Sequence, residues 1–297
     1  MKQKLLIIGG SGLVGSTLTE YALSYYDIHI TYNKNIPQNT HVKSIAIELL
    51  DDRTKIIDLI KLLKPKAVVH TAAHPSVDLC ESDHKIADTL HVDITRDIVE
   101  ACIDVNSKLI YLSTDAVFEG QLNKKYTEED RPNPVNYYGK TKLAAEKIVL
   151  SFPNNVILRT AVVYGWHQRS RFTNWILGNL KEKKIVDPFS DQYNTPTLVD
   201  DLAKSILAII KLQISGLYHA TGKTCISRYE FALELANKFG YDKSLIKPVT
   251  SLQKKQDAPR PTATCLDSNK LERLTGYQFK DTKSGISFIY EKSKRDI

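Results

Sequence analysis

The sequence contains no apolar run long enough to span a bilayer, which argues against an integral membrane protein. It has no dense basic block and no interleaving of aromatic with basic residues, so the footprint of a nucleic-acid binder is missing. Cysteine is scarce: Cys80, Cys102, Cys225 and Cys265 are scattered, with no Cys-x-x-Cys pair. They read as small apolar residues kept reduced, in keeping with a cytoplasmic protein. No grouping has metal-ligand spacing, so no metal is expected, and there is neither an internal repeat nor a low-complexity segment. The first residues are basic and then apolar, as in a signal peptide. That run is short, however, and leads into a glycine loop instead of a small-residue cleavage site, so it is read as a buried first strand.

What is present is an ordinary globular composition: 297 residues, 42% hydrophobic and 25% charged. That length suits one large α/β domain or a domain with a smaller partner. The net charge of +7 is modest. Most of it reads as a solvated lysine surface, with enough positive field to help draw in an anionic ligand such as a nucleotide diphosphate. A homodimer is the default assembly on frequency alone.

Leu5-Leu6-Ile7-Ile8 runs directly into Gly9-Gly10-Ser11-Gly12-Leu13-Val14-Gly15, after which Leu13, Leu18 and Ala22 follow a helical pattern. Strand, glycine turn and helix start form the context a dinucleotide site requires. Gly9, Gly12 and Gly15 would give a tight turn, close approach to pyrophosphate and close packing of helix on strand. Leu13 and Val14 open the helix whose free N–H groups and dipole favour phosphate. The second strand, 28–32, ends at Asn33-Lys34, where an NAD site usually carries an acid for the ribose 2′-hydroxyl. An amide and a cation tolerate a 2′-phosphate, so the expected cofactor is NADP(H), with NAD(H) as the alternative. Ala72 and Ala73, small residues after a strand at 67–70, would let the backbone pass close to it.

Strands and helices alternate through residue 160, with strands at 45–47, 67–70, 108–112 and 156–158 and helices at 53–64 and 83–106. That rhythm predicts a doubly wound parallel sheet of Rossmann type. Beyond it come helices at 172–181, 198–212 and 227–239, a short strand at 185–186, a loop at 188–196, a strand at 216–219 and a last helix at 267–274. Residues 1–165 are expected to form the NADP-binding domain, with 197–220 returning to it. Residues 166–196 and 221–297 then make a smaller, irregular substrate lobe.

Ser113-Thr114-Asp115 stands at the carboxyl end of the fifth strand, the edge where such sheets bind ligands. Just after it, Pro134 reads as the opener of a helix on which Tyr138 and Lys142 lie four residues apart and share a face. An ammonium beside a tyrosine eases its ionisation, which suits a general acid at a substrate oxygen. Tyr137 is the wrong tyrosine for this, since its i+4 partner is Thr141.

These residues resemble the extended short-chain dehydrogenase/reductases, and within them the dTDP-4-dehydrorhamnose reductase group. The likeness covers nearly the whole chain: the Gly-x-x-Gly-x-x-Gly frame from Gly9, the run from Ser113 to Gly120, Tyr138-x-x-x-Lys142, Asp191 to Thr197, Gly216-Leu217-Tyr218-His219 with Tyr229 to Ala232, and Arg260-Pro261. The resemblance implies hydride transfer from nicotinamide to a 4-keto carbon of a nucleotide sugar, with Tyr138 protonating the oxygen. It also implies that Tyr138 and Lys142 both contact the cofactor, that Lys142 holds its ribose and lowers the tyrosine pKa, and that Thr114 hydrogen-bonds the carbonyl oxygen. Asp115 would bind substrate or satisfy a turn, and Arg260 would meet the substrate diphosphate. Three positions depart from the group: Ala116 and Val162 replace aromatic residues that face the sugar, and His91 replaces an asparagine. The pocket is therefore expected to have lost aromatic walls. His70 and His74 read as buried or capping residues. An epimerase or dehydratase would use the same tyrosine and lysine. The non-catalytic regulatory subunit of methionine adenosyltransferase resembles the same group.

Overall fold

The computed structural model describes residues 2–37, 41–73 and 76–295. Seven parallel strands form its main sheet. Their order across the sheet is Gly216–His219, Val156–Thr160, Lys108–Thr114, Ala67–His70, Lys4–Ile8, Asp27–Tyr32 and Lys43–Ala46. The sequence order reverses at Lys4–Ile8, so the carboxyl ends of that strand and of Ala67–His70 open a crevice between them.

Alternation along the strands builds a core on each face. Leu5 and Ile7 join Leu18, Leu202 and Ile206 on one side. Leu6 and Ile8 join Ile56, Ile60, Ile98 and Val149 on the other. The helix Val199–Leu212 lies against the helix Leu13–Ala22, and Gly216–His219 pairs with Val156–Thr160, so this late segment is part of the main sheet layer. A second, mixed sheet of four short strands, Ile226–Ser227, Tyr193–Asn194, Ala263–Leu266 and Lys125–Tyr126, carries the remaining lobe. Among the described residues no helix is long and apolar enough to cross a membrane.

Several elements differ from expectation. The long helix at 83–106 is instead Val77–Ser82, His84–Asp88, a π-helical turn Thr89–Asp93 and Ile94–Asp104. Ser76 and Asp83 each cap a new start, accepting from Leu79 N at 3.2 Å and Ile86 N at 3.0 Å. The loop at 188–196 holds the strand Tyr193–Asn194, and Val186 makes an isolated bridge to Ile246. The strand Ala263–Leu266 and the helix Thr282–Ser293 were not anticipated. Gly285 and four serine and threonine residues blur the pattern of that helix, although Asp281, which accepts from Ser284 N at 2.7 Å, was a readable cap. The reading of all four cysteines as thiols is also corrected. Cys225 and Cys265 form a disulfide across 40 residues of sequence, while Cys80 and Cys102 are free and buried. The fold of the lobe, not any sequence motif, brings that pair together.

Candidate active site

The glycine loop is shaped by contacts that only glycine allows. Gly9 takes φ +83°, and a Cβ on Gly15 would lie 2.4 Å from the Gly9 carbonyl oxygen. The helix Leu13–Ala22 therefore starts hard against the loop. Its N-cap, Gly12, brings no side chain to the first N–H groups, which are left for a ligand. A cleft of ≈ 670 Å³ opens there, lined by Gly9, Gly12, Leu13, Asn33, Ala72 and Ala73 among others. Bare helix start, glycine cradle and volume fit a dinucleotide. Val14 turns away to pack on the core, Gly15 is buried behind the loop, and Lys34 is exposed and off the cleft wall.

The helix Tyr137–Leu150 begins three residues after Pro134, because Asn136 is its cap: Oδ1 accepts from Gly139 N at 2.8 Å. Its Nδ2 donates to Pro259 O at 2.9 Å, tying the cap to the other lobe. At Gly139 a Cβ would come within 2.2 Å of the Ala116 carbonyl oxygen, so glycine lets this helix press on the turn after Thr114. That approach brings Tyr138 beside Thr114, and both line one pocket. Tyr137 faces elsewhere, donating to Asp88 at 2.8 Å and stacking on His84.

Lys142 is turned to the strand Lys108–Thr114. Its Nζ donates to Leu112 O at 2.6 Å and sits 4.0 Å over the Tyr111 ring. Burial pulls its pKa down to about 7, with Glu146 opposing. The Tyr138 phenol is instead pushed well up by burial and then by the Asp115 carboxylate, with the Thr114 hydrogen bond opposing. Sharing a helix face was not enough, because the strand carbonyl captured the lysine. Beneath the pair, Glu146 accepts from Arg159 at 2.9 and 2.7 Å and from Ser113 at 2.5 Å, all three residues being buried. His91 sits in the π-helical turn, with Nδ1 2.8 Å from Thr141 Oγ1 and its ring edge-on to Tyr138. His70 is buried and pulled down to about 3, hence neutral; His74 lies outside the described residues.

A second cavity, ≈ 610 Å³, continues from Thr114 and Tyr138 into the other lobe. Asp115 lines it, but its carboxylate is engaged: Asn194 donates at 2.6 Å, Thr264 donates as well, and burial raises its pKa. Arg260 lines it too, held by a two-pronged pair with Asp78 at 2.9 and 3.0 Å. Arg228, Lys254 and Arg171 add positive charge. Burial lowers Arg228 to about 10, and its guanidinium lies 5.4 Å over the Phe172 ring. Among the described residues no cluster suits a metal ion.

The model of the RmlD substrate binding domain matches residues 3–294. The chain belongs to that family. It is an extended short-chain dehydrogenase/reductase of the dTDP-4-dehydrorhamnose reductase-like group. One relative, dTDP-4-dehydrorhamnose reductase of Aggregatibacter actinomycetemcomitans, is 28% identical over 96% of this chain and 98% of its own. Methionine adenosyltransferase 2 subunit beta of Mus musculus is 31% identical over 96% of this chain and 86% of its own. The crystal structure of dTDP-4-dehydrorhamnose reductase from Bacillus anthracis in complex with NADP has a TM-score of 0.87 at 28% identity, covering 98% of this chain and 100% of that one.

Within the RmlD family frame, the pocket has not lost its aromatic walls. Ala116 and Val162 line it as small residues, yet Phe172, Trp175 and Phe189 supply rings from the other lobe. Val162 itself has φ +43°, a costly backbone for a β-branched residue. Arg228 and the segment Gln168, Arg169 and Arg171, which lines the cleft, were missed. Arg228 follows the cap Ser227, whose Ser-x-x-Glu capping box was legible; nothing local showed that its side chain would turn into a pocket.

Proposed function

We propose that the chain is an NADP(H)-dependent reductase of a 4-keto nucleotide sugar. The carrying observation is that Thr114 and Tyr138 line one pocket with Arg228, Lys254 and Arg260, and that this pocket shares Arg171 with the glycine-loop cleft. Those cations suit a sugar nucleotide diphosphate, since guanidinium forks match phosphate oxygens. Residues 1–165 with 197–220 serve chiefly the cofactor, and 166–196 with 221–297 the sugar.

A bound nicotinamide would supply hydride to the keto carbon. Thr114 donates a hydrogen bond to the carbonyl oxygen as charge develops there. Tyr138, kept protonated by burial and by Asp115, gives that oxygen its proton. Lys142 holds the cofactor ribose, and the two arginines hold the diphosphate. The test is oxidation of NADPH and NADH with a dTDP-4-keto-6-deoxy sugar, for wild type and Tyr138→Phe. Turnover with NADPH that vanishes in the variant supports the reductase; cofactor binding without turnover of any 4-keto nucleotide sugar sinks it.

The likeness to methionine adenosyltransferase 2 subunit beta, at 31% identity in the mouse protein, favours one other role: a non-catalytic dinucleotide-binding subunit. Stable co-purification with a methionine adenosyltransferase, together with no turnover, would establish it instead.

A further inference from the structure

We propose that Arg169 recognises the 2′-phosphate of NADP(H) and sets the cofactor preference, an assignment that rests on the dinucleotide role of the cleft. A third cavity, of ≈ 430 Å³, adjoins that cleft, and Ser11, Gln168 and Arg169 line both. Of these three, Arg169 alone carries charge. Gly10 and Ile30 also wall the smaller cavity, so it lies at the glycine loop and the carboxyl end of the strand Asp27–Tyr32. In a strand, glycine loop and helix of this kind, the ribose 2′ position is read from the end of that second strand. Lys34, the cation first expected to serve there, is exposed and lines neither cavity. The positive charge comes from another part of the chain.

The turn bearing Arg169 is built rather than loose. Arg169 N donates to His167 Nδ1 at 3.0 Å, so the ring proton belongs on Nε2, which lies 3.1 Å from Ser16 Oγ. Ser16 Oγ donates in turn to Gly12 O at 2.7 Å, within the first turn of the dinucleotide helix. Asn174 Nδ2 donates to the carbonyls of His167 and Gln168, both at 3.0 Å, and Ser170 Oγ accepts from Gly165 N at 3.1 Å. The backbone that carries Arg169 is thus held in place before any ligand arrives, which lowers the ordering cost of binding. Its Nε is buried with no hydrogen-bond partner. An anion can satisfy such a donor by a charge-assisted hydrogen bond, and the 2′-phosphate is the anion this position would meet. Glu20, the carboxylate lining the same cavity, has an interaction of its own.

The probes are 2′,5′-ADP and 5′-AMP, which differ only in the 2′-phosphate, titrated calorimetrically into the full chain. Wild type should bind 2′,5′-ADP about ten- to a hundred-fold more tightly than 5′-AMP, the size expected of a charge-assisted contact. Arg169→Gln should erase most of that ratio while leaving 5′-AMP within about twofold, and Arg169→Lys should restore part of it. Lys34→Gln should leave the ratio unchanged, a check that holds even if the Arg169 variants fail to fold. An unchanged ratio in Arg169→Gln, a parallel loss for both nucleotides, or a ratio that collapses in Lys34→Gln overturns the assignment. Binding of NADPH and NADH with equal affinity by wild type would sink Arg169 alone, whereas no binding of any of these nucleotides would sink the reductase as well.

Discussion

Backbone shapes the cofactor cleft, whereas side chains shape the substrate pocket beside it. The cleft is walled mainly by short contiguous pieces, Gly9 to Leu13, Thr31 to Asn33 and Thr71 to Ala73, each at the carboxyl end of a parallel strand. The pocket collects Thr114, Phe172, Asn194, Arg228 and Arg260 from positions spread over most of the chain. Two of them are held by distant partners, Arg260 by Asp78 and Asn194 by Asp115 and Thr264. A backbone cleft tolerates drift in the surrounding side chains, while a pocket of paired side chains changes specificity with few substitutions.

The sharpest separation comes from Tyr138, which lines the pocket and not the cleft. Tyr138→Phe should lower turnover by about 10²- to 10⁴-fold, the usual worth of a general acid. It should leave NADPH affinity within about twofold, because the lost hydroxyl serves the reacting oxygen. Steady-state kinetics beside fluorescence titration of NADPH would show this. A matching fall in cofactor affinity would mean that the two cavities do not act separately.

Glu146→Ala should break both cavities together. The carboxylate ties the helix of Tyr138 to the strands Lys108–Thr114 and Val156–Thr160 through Ser113 and Arg159. Removing it strands a buried guanidinium, at a cost of about 3–5 kcal/mol. Urea unfolding should report a loss of that order, and a loss below about 1 kcal/mol would show that the pair carries no such burden.

The same contrast decides what could be read from the sequence. The main sheet and the glycine loop were legible because they depend on local spacing: apolar runs of strand length, glycines three apart, small residues at Ala72 and Ala73. Tyr138 with Lys142 was legible as a pair, but not the capture of Lys142 by Leu112 O, which depends on how the helix sits against a strand 30 residues away. Arg228, the Asp78–Arg260 pair and the Cys225–Cys265 disulfide follow from lobe packing over long sequence distances. No periodicity records such meetings. Lys34 was legible as a cation after a strand, but its exposure and its absence from the lining of the cleft were not.

On the substrate side, two arginines in one pocket should weigh unequally. Arg228 has no carboxylate in a two-pronged pair, whereas Arg260 is already half-neutralised by Asp78. Arg228→Met should raise KM for a nucleotide-diphosphate sugar by about ten- to a hundred-fold, and Arg260→Met by less than about tenfold. NADPH affinity should change in neither. The reverse ranking would place the diphosphate at the Asp78 end of the pocket.

The smallest effect should come from His167, and only on the cofactor side. Its ring accepts from Arg169 N and faces Ser16 Oγ, an arrangement that needs the neutral form. Burial lowers its pKa below the ordinary 6.5, Lys292 and Arg169 push the same way, and Asp200 opposes them. Below about pH 6.5 the unfolded chain therefore binds a proton that the folded chain resists, and stability falls as pH falls until the folded pKa is passed. His70 and His219 add acid sensitivity of the same sign, but both remain in a His167→Gln variant and cancel in the comparison. Melting temperatures of wild type and His167→Gln between pH 7.5 and 5.5 should converge toward acid, with wild type losing up to about 1 kcal/mol more, the net worth of a hydrogen bond. Parallel curves would mean that this ring does not titrate in that window, and that the Arg169 turn is held without it.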